Sequence, residues 1–253
     1  RVSIRPMPTD AKTDQVNVSL NWAGDKGHAS GSYYGSFFRN NVNAVNFQTW
    51  QTASVMQTMG TAPSNDFHQL NLTGGYTLTP TTKLAGGLSY GRNTQNVQYA
   101  YDSALVGGMV TPSPTSSLNG LVVTKHADLR LTNQASRDMT LTAAYKYDLR
   151  NNQTRSYIYD FFAIDGSVGN PNTPLSNRKS QLEMAGDYRL SKNQQVRLAY
   201  TRETIQRWCD QYAVSALYPA GTNCVTGTGS NENKLGATYR LRATDTIRLS
   251  AGY

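Results

Sequence analysis

The dominant pattern in this sequence is a strict alternation of apolar and polar side chains. Residues 139–150 place Met, Leu, Ala or Tyr at every odd position, while the even positions hold mainly Thr, Ala, Lys, Asp and Arg. Residues 182–190, 235–241 and 16–22 repeat the pattern. A period of two residues is typical of a β-strand whose two faces meet different surroundings. The sequence therefore predicts an all-β protein.

Ten segments carry this pattern and are predicted as strands, and in the segment from Leu121 to Leu131 one charged residue, Lys125, lies on the apolar side. They are residues 14–22, 29–39, 66–78, 83–95, 120–132, 138–150, 179–190, 195–207, 232–242 and 246–253. Short connections alternate with long ones, which cover about residues 40–65, 101–119, 151–178 and 208–231. Short periplasmic turns and long external loops are typical of a transmembrane β-barrel.

One sequence pattern recurs at several hairpins along the chain. Tyr76, Tyr188 and Tyr239 each precede a short turn, and each lies eight positions before the first apolar residue that follows the turn. The hairpin that ends at Met139 is two residues longer, which keeps every later side chain on its own face. The three tyrosines lie on the apolar side, where the aromatic girdle of a barrel is expected.

Composition narrows the class of protein. Apolar residues make up 38% of the 253 residues, charged residues 16%, and the mean hydropathy is −0.54. No run approaches the ~20 apolar residues that a membrane-spanning helix needs, so a helical membrane protein is excluded. The 16 Tyr and the regularly spaced Leu and Val argue against a disordered chain. A soluble β-protein and an outer-membrane barrel remain.

Alternation alone does not choose between a soluble β-sandwich and a barrel, because either a second sheet or lipid can cover the apolar face. Each pattern lasts about 9–11 residues, which is the length that a tilted strand needs to cross hydrocarbon. The tyrosine girdle and the long loops also favour the barrel. We expect an antiparallel transmembrane β-barrel, with about ten strands in this chain.

Ten charged residues fall on the polar side of the strands, which in a barrel lines the lumen. The lumen-facing candidates are Arg130, Lys146, Asp148, Arg150, Glu183, Asp187, Arg189, Arg197, Arg240 and Arg248. They form either a hydrated wall of mixed ion pairs or a surface that holds a polar guest. The net charge of +8 is mild, and the basic residues are interspersed with acidic ones. A nucleic-acid-binding patch is therefore not supported.

The chain has two cysteines, Cys209 and Cys224, in one long loop. In an oxidising compartment we expect them to form a disulfide that closes this loop. His126 and Asp128 share the polar face, and Asp66 precedes His68, so a hydrolase with an Asp–His pair is a third hypothesis. We expect polar wall residues instead, no catalytic or metal-binding residues, and no cofactor bound by this chain.

Three sequence segments resemble those of a known family. They are PTD at residues 8–10, FHQLNLTGGYTLTPTTK at residues 67–83 and PLSNRK at residues 174–179. The chain resembles the MtrB/PioB-type decahaem-associated outer-membrane barrels. Members of that family are considerably longer, and the chain opens Arg1-Val2-Ser3-Ile4 without Met or a signal peptide. We therefore expect residues 1–253 to be a single barrel segment, without a separate soluble domain, from a larger barrel.

The resemblance implies a sheath in the bacterial outer membrane. Such barrels surround a periplasmic multihaem c-type cytochrome and let electrons cross to or from extracellular partners, including an extracellular multihaem cytochrome. The chain has no Cys-x-x-Cys-His motif, so the c-type haems are expected on the partner. It also lacks the Cys-x-x-Cys that family members often carry near the mature N-terminus, so no redox role is transferred. The alternative is a general porin or transport barrel without a cytochrome guest.

Overall fold

The computed structural model describes residues 7–47, 57–100, 103–106, 109–159, 170–209, 224–225 and 227–253. Ten long strands form one sheet: β1 Ala11–Ala23, β2 Gly27–Asn40, β3 Asn65–Thr79, β4 Thr82–Gln95, β5 Gly120–Gln134, β6 Met139–Asn152, β7 Leu175–Ser191, β8 Gln194–Cys209, β9 Gly229–Arg242 and β10 Arg248–Gly252. In the described part of the chain, no helix is long and apolar enough to cross a membrane.

Each strand of the sheet pairs antiparallel with the next one along the chain. Within the described residues, β1 pairs only with β2 and β10 only with β9, so the sheet is open at both edges. The predicted antiparallel barrel architecture is confirmed, as an incomplete wall. Short hairpins also lie in the long connections: Ala44–Phe47 with Gln57–Gly60, Ser103–Val106 with Met109–Pro112, and Ile158–Tyr159 with Asn170–Pro171.

The strands run farther toward the long loops than alternation indicated. β7 begins at Leu175 and β9 at Gly229, a few positions before their predicted starts, whereas β10 is shorter than predicted. The added segments, such as Ser176 to Arg178, are polar on both faces. Side chains that are polar on both faces show no period of two, although the backbone still pairs there.

Buried apolar side chains are scarce in the described residues. The buried ones are Val123, Ala144, Pro174 and Ala185, whereas Leu20 is 79% exposed and Leu235 77% exposed. No second layer covers the apolar side of this sheet in the described part of the chain. Burying one such leucine contributes about 1.5–3 kcal/mol, so this wall needs an external apolar phase to be stable.

Polar residues are buried at the loop ends of the strands. Ser117, Thr154, Ser156 and Ser176 are all buried there. The Leu121 N–H donates to Thr154 Oγ1 at 3.0 Å, and the Asn152 N–H donates to Ser176 Oγ at 2.9 Å. These hydroxyls accept hydrogen bonds from backbone N–H groups where the strand pairing ends. The bonds fix the ends of β5 and β6 that face the long loops.

Candidate functional site

The strand register places the predicted lumen-facing residues on one face of the sheet. Directly paired residues share a face, and Asp187 pairs with Arg197 while Asp128 pairs with Lys146. Following the pairs across β5 to β10 brings together Arg130, Lys146, Asp148, Arg150, Glu183, Asp187, Arg189, Arg197, Arg240 and Arg248. We call this surface the polar face; that it encloses a lumen stays a prediction.

Arg197 is the centre of an ion-pair network on the polar face. Its Nη1 lies 2.6 Å from Asp187 Oδ2, and its Nη2 lies 2.9 Å from Glu183 Oε1. Asp187 also accepts from Gln195 Nε2 at 3.3 Å. The planar guanidinium can donate along two directions at once, so one arginine on β8 bridges two carboxylates of β7. Farther from the short turns, Lys179 Nζ lies 2.8 Å from Glu203 Oε2.

His126 lies between two carboxylates. Its Nδ1 is 2.6 Å from Asp148 Oδ1, and its Nε2 is 3.2 Å from Asp128 Oδ1. A general base needs a ring nitrogen that can reach a substrate proton, and here both nitrogens already contact carboxylates. The described residues hold no cluster of His, Cys, Asp or Glu suited to a metal ion. That this triad is a polar part of the wall stays a prediction.

Cations accumulate on the polar face beside the short turns. A pocket of about 520 Å³ is lined there by Arg189, Arg240, Arg242 and Arg248, and the carboxylates of Asp138 and Asp187 also belong to its lining. Arg242 contacts Asp245 at 2.8 Å. Among the described residues, no carboxylate lies within ion-pair distance of Arg189, Arg240 or Arg248. This end of the wall carries positive charge that it does not neutralise itself.

The polar face of β1 to β4 differs from that of β5 to β10. Within these four strands its ionisable groups are His28 and Lys83, both beside short turns, and the phenol of Tyr34. Elsewhere Ser, Asn, Thr and Gln bond to one another: Ser30 Oγ donates to Asn21 Oδ1 at 2.6 Å, and Asn71 Nδ2 donates to Ser32 Oγ at 3.2 Å. Sequence reasoning missed this division, although strand parity alone could have indicated it.

The opposite face, which we call the apolar face, carries the predicted girdle. Tyr76, Tyr188 and Tyr239 all lie on it near the short turns, and they are 50%, 49% and 37% exposed. Tyr188 and Tyr239 are the two register partners of Val196, so they lie in one row. Their role at a membrane interface stays a prediction.

A second set of tyrosines on the apolar face was not anticipated. It lies farther from the short turns and consists of Tyr33, Tyr90, Tyr145, Tyr147 and Tyr200. Tyr33 and Tyr90 are the two partners of Leu70, so they also share a row. Leu72, Leu88, Leu141 and Leu198 lie between the two sets and are exposed. An apolar band flanked by aromatic residues on both sides is the outer surface of a transmembrane barrel.

The long loops are held by two cross-links. A disulfide joins Cys209 to Cys224, whose Cα atoms are 6.1 Å apart. Tyr99 Oη and Tyr159 Oη are 2.7 Å apart and connect the loop after β4 to the loop after β6. Burial, followed by this hydrogen bond, raises the pKa of the Tyr99 phenol.

Comparison with solved structures agrees with the barrel architecture. The sheet is similar to the ferric enterobactin receptor PfeA (G324V mutant) of Pseudomonas aeruginosa, with a TM-score of 0.58, 12% identity, and coverage of 96% of this chain and 36% of that one. It is also similar to BauA, the ferric preacinetobactin receptor of Acinetobacter baumannii, with a TM-score of 0.50, 16% identity, and coverage of 96% and 39%. At these identities the similarity shows the fold alone.

Comparison with sequences identifies the family. A curated relative, the outer membrane protein MtrB of Shewanella baltica (strain OS185), is 28% identical over 196 residues, which are 75% of this chain. The match spans 27% of the relative's length. The family of outer membrane beta-barrel porins designated MtrB/PioB matches residues 3–253. The chain is therefore part of a barrel of the bacterial outer membrane, and it belongs to the MtrB/PioB family.

Proposed function

We propose that this part of the barrel forms the wall of a sheath around a periplasmic multihaem c-type cytochrome, which carries electrons across the outer membrane. Family membership and the resemblance to decahaem-associated barrels support this proposal. The c-type haems belong to the partner, because this chain has no Cys-x-x-Cys-His motif. An extracellular multihaem cytochrome would meet the long loops.

The observation that carries the proposal is the charged half of the polar face on β5 to β10. Paired carboxylates and guanidinium groups, such as those around Arg197, give a folded protein a surface to hydrogen-bond with. The unneutralised Arg189, Arg240 and Arg248 favour a guest whose surface is acidic near the short turns. Lipid would not solvate such a guest, whereas this wall does.

A porin without a protein guest is the second candidate. The family description names a porin, and a lumen lined by excess cations would favour the passage of anions. The two candidates differ in what fills the space beside the polar face, which is protein in one and water in the other.

Co-purification tests the sheath. The barrel protein that carries these strands is purified from outer membranes in mild detergent and stained for covalently bound haem. We expect a haem-stained partner with the unchanged protein and at least a tenfold lower haem content with the Arg240→Glu/Arg248→Glu variant. The matched control Lys12→Glu/Lys26→Glu makes the same charge change away from the polar pocket and should retain the partner.

Absence of haem from the unchanged protein, together with ion conductance in planar bilayers, would contradict the sheath and support the porin. Equal haem retention by both double variants would contradict the role of the arginine cluster in guest binding. The amide I infrared band of each variant verifies that the β-barrel is intact.

A further inference from the structure

Several cationic side chains lie on the apolar face of the sheet, where the alternation predicts apolar residues. Lys125, the exception in the alternation of β5, pairs with Tyr90 and is exposed. Arg92 follows two positions after Tyr90 on β4, and Arg178 on β7 pairs with Leu149, the other neighbour of Lys125. We name Arg92, Lys125 and Arg178 the outer basic row.

The row is compact. Lys125 and Arg178 are the two register partners of Leu149, so at ~4.8 Å per strand their backbones are about 10 Å apart. Arg92 is the diagonal neighbour of Lys125, at about 7–8 Å. All three side chains are exposed, and Arg178 Nη2 donates to the Gln206 side chain. Three long cationic side chains can thus reach one group of anions.

Among the described residues, no acidic side chain lies within ion-pair distance of these cations. On the apolar face of β4 to β8, all of whose residues are described, there is no Asp or Glu. The acidic groups of this face are Asp14, 2.9 Å from Lys12, and Asp66 on β3, which is the diagonal neighbour of Arg92 but forms its ion pair with Arg39, at 2.5 Å. The outer basic row therefore has no acidic partner of its own in the described part of the chain.

The height of the row along the strands selects the kind of anion. The row lies level with or beyond the outer tyrosines Tyr90 and Tyr147, on the side of the long loops. Aromatic residues mark the boundary between hydrocarbon and headgroups. A basic cluster at that boundary, facing away from the barrel interior, meets lipid headgroups rather than hydrocarbon or a guest protein.

We propose that Arg92, Lys125 and Arg178 bind the phosphate groups of anionic glycolipids in the outer leaflet of the outer membrane. A guanidinium presents paired N–H groups that match phosphate oxygens, and a lysine adds a compact positive charge. The apolar band directly below the row receives the acyl chains of the same lipid. This site is on the opposite face from the cytochrome wall and does not depend on it.

The test uses the intact barrel protein in detergent and bis-phosphorylated lipid A as the probe. Native mass spectrometry counts lipid adducts on the unchanged protein and on the variant Arg92→Gln/Lys125→Gln/Arg178→Gln. We expect at least a tenfold loss of lipid A adducts in the variant. The control Lys26→Gln/Lys83→Gln/Lys192→Gln removes the same charge near the short turns and should bind as the unchanged protein does.

Two further arms separate the sources of phosphate. Lipid A from which both phosphates have been removed should bind at least tenfold more weakly, and millimolar inorganic phosphate should not displace the intact lipid. Displacement by inorganic phosphate would mean a simple anion site and overturn the assignment to a lipid. Equal binding of lipid A by the two triple variants, or capture of an acidic protein by the row instead, would also overturn it. The amide I band verifies folding of every variant.

Discussion

At the scale of single residues, two nearby positions of β8 lie on opposite faces of the sheet and should differ in their tolerance for charge. Leu198 is 59% exposed on the apolar face, whereas Thr201 lies on the polar face opposite Glu183. We expect Leu198→Arg to lower the free energy of unfolding in lipid by about 2–4 kcal/mol, because an arginine would meet hydrocarbon. Denaturant titration of the protein refolded in vesicles measures the change.

Thr201→Arg is the matched control for this substitution. The new guanidinium would lie beside the Glu183 carboxylate, so we expect a change of about 1 kcal/mol or less. If Thr201→Arg proved as damaging as Leu198→Arg, the assignment of the two faces would be wrong.

Tyr99 gives a pH dependence in the loops. Its pKa is raised above the usual value near 10, so the folded protein holds the phenol proton more tightly than the unfolded chain does. The stabilisation is therefore fully present below pH about 10 and is lost as the pH rises through the higher pKa of the folded state. We expect Tyr99→Phe to remove one late-titrating group from the tyrosinate ultraviolet absorbance.

If the number of late-titrating tyrosines were unchanged in the Tyr99→Phe variant, this prediction would be wrong. Tyr253→Phe, which removes a fully exposed phenol, is the control for the loss of one tyrosine.

At the scale of elements, the turn between β5 and β6 is the clearest test of facing. The hairpin from Leu129 to Met139 is two residues longer than the repeated pattern that begins at Tyr76, Tyr188 and Tyr239. Deletion of Ala135 and Ser136 together should leave the barrel able to insert, because every later side chain keeps its face. Deletion of Ala135 alone should block insertion, as judged by heat-modifiable electrophoretic mobility. Equal insertion of both deletions would contradict it.

Much of the sheet was predictable because lipid and water impose opposite chemistry on alternate residues. That pattern gave all ten strands, but the start of β7 at Leu175 escaped it, since polar residues continue on both faces there. Contacts between side chains of different strands could not be predicted from the sequence. Parity places Arg197, Asp187 and Glu183 on one face, yet only the register of β7 with β8 brings them together.

Longer-range contacts were hidden for the same reason. Tyr33 Oη is 2.8 Å from His68 Nδ1 across 35 residues of sequence, with a long loop between their strands. The outer basic row is a similar case. Lys125 looked like a single defect in a pattern, and it acquires a meaning only when β4 and β7 bring Arg92 and Arg178 beside it.

At the scale of the whole molecule, the sheet assigns each side chain to one of two surroundings. Single spin labels at positions 198 and 249 should be relaxed by oxygen dissolved in lipid. Labels at positions 197 and 248 should respond to a water-soluble nickel chelate, because these positions lie on the polar face. The reverse pattern of accessibility would exchange the two faces and remove the basis of the cytochrome sheath.

The unequal halves of the polar face have a consequence for rotation about the axis perpendicular to the membrane. Uncharged Ser and Asn line β1 to β4, and ionic groups line β5 to β10. An enclosed molecule whose own charge is unevenly distributed would then have one preferred rotational orientation about this axis. In this part of the wall, the order of the strands in the chain would therefore determine the rotational orientation of an enclosed molecule.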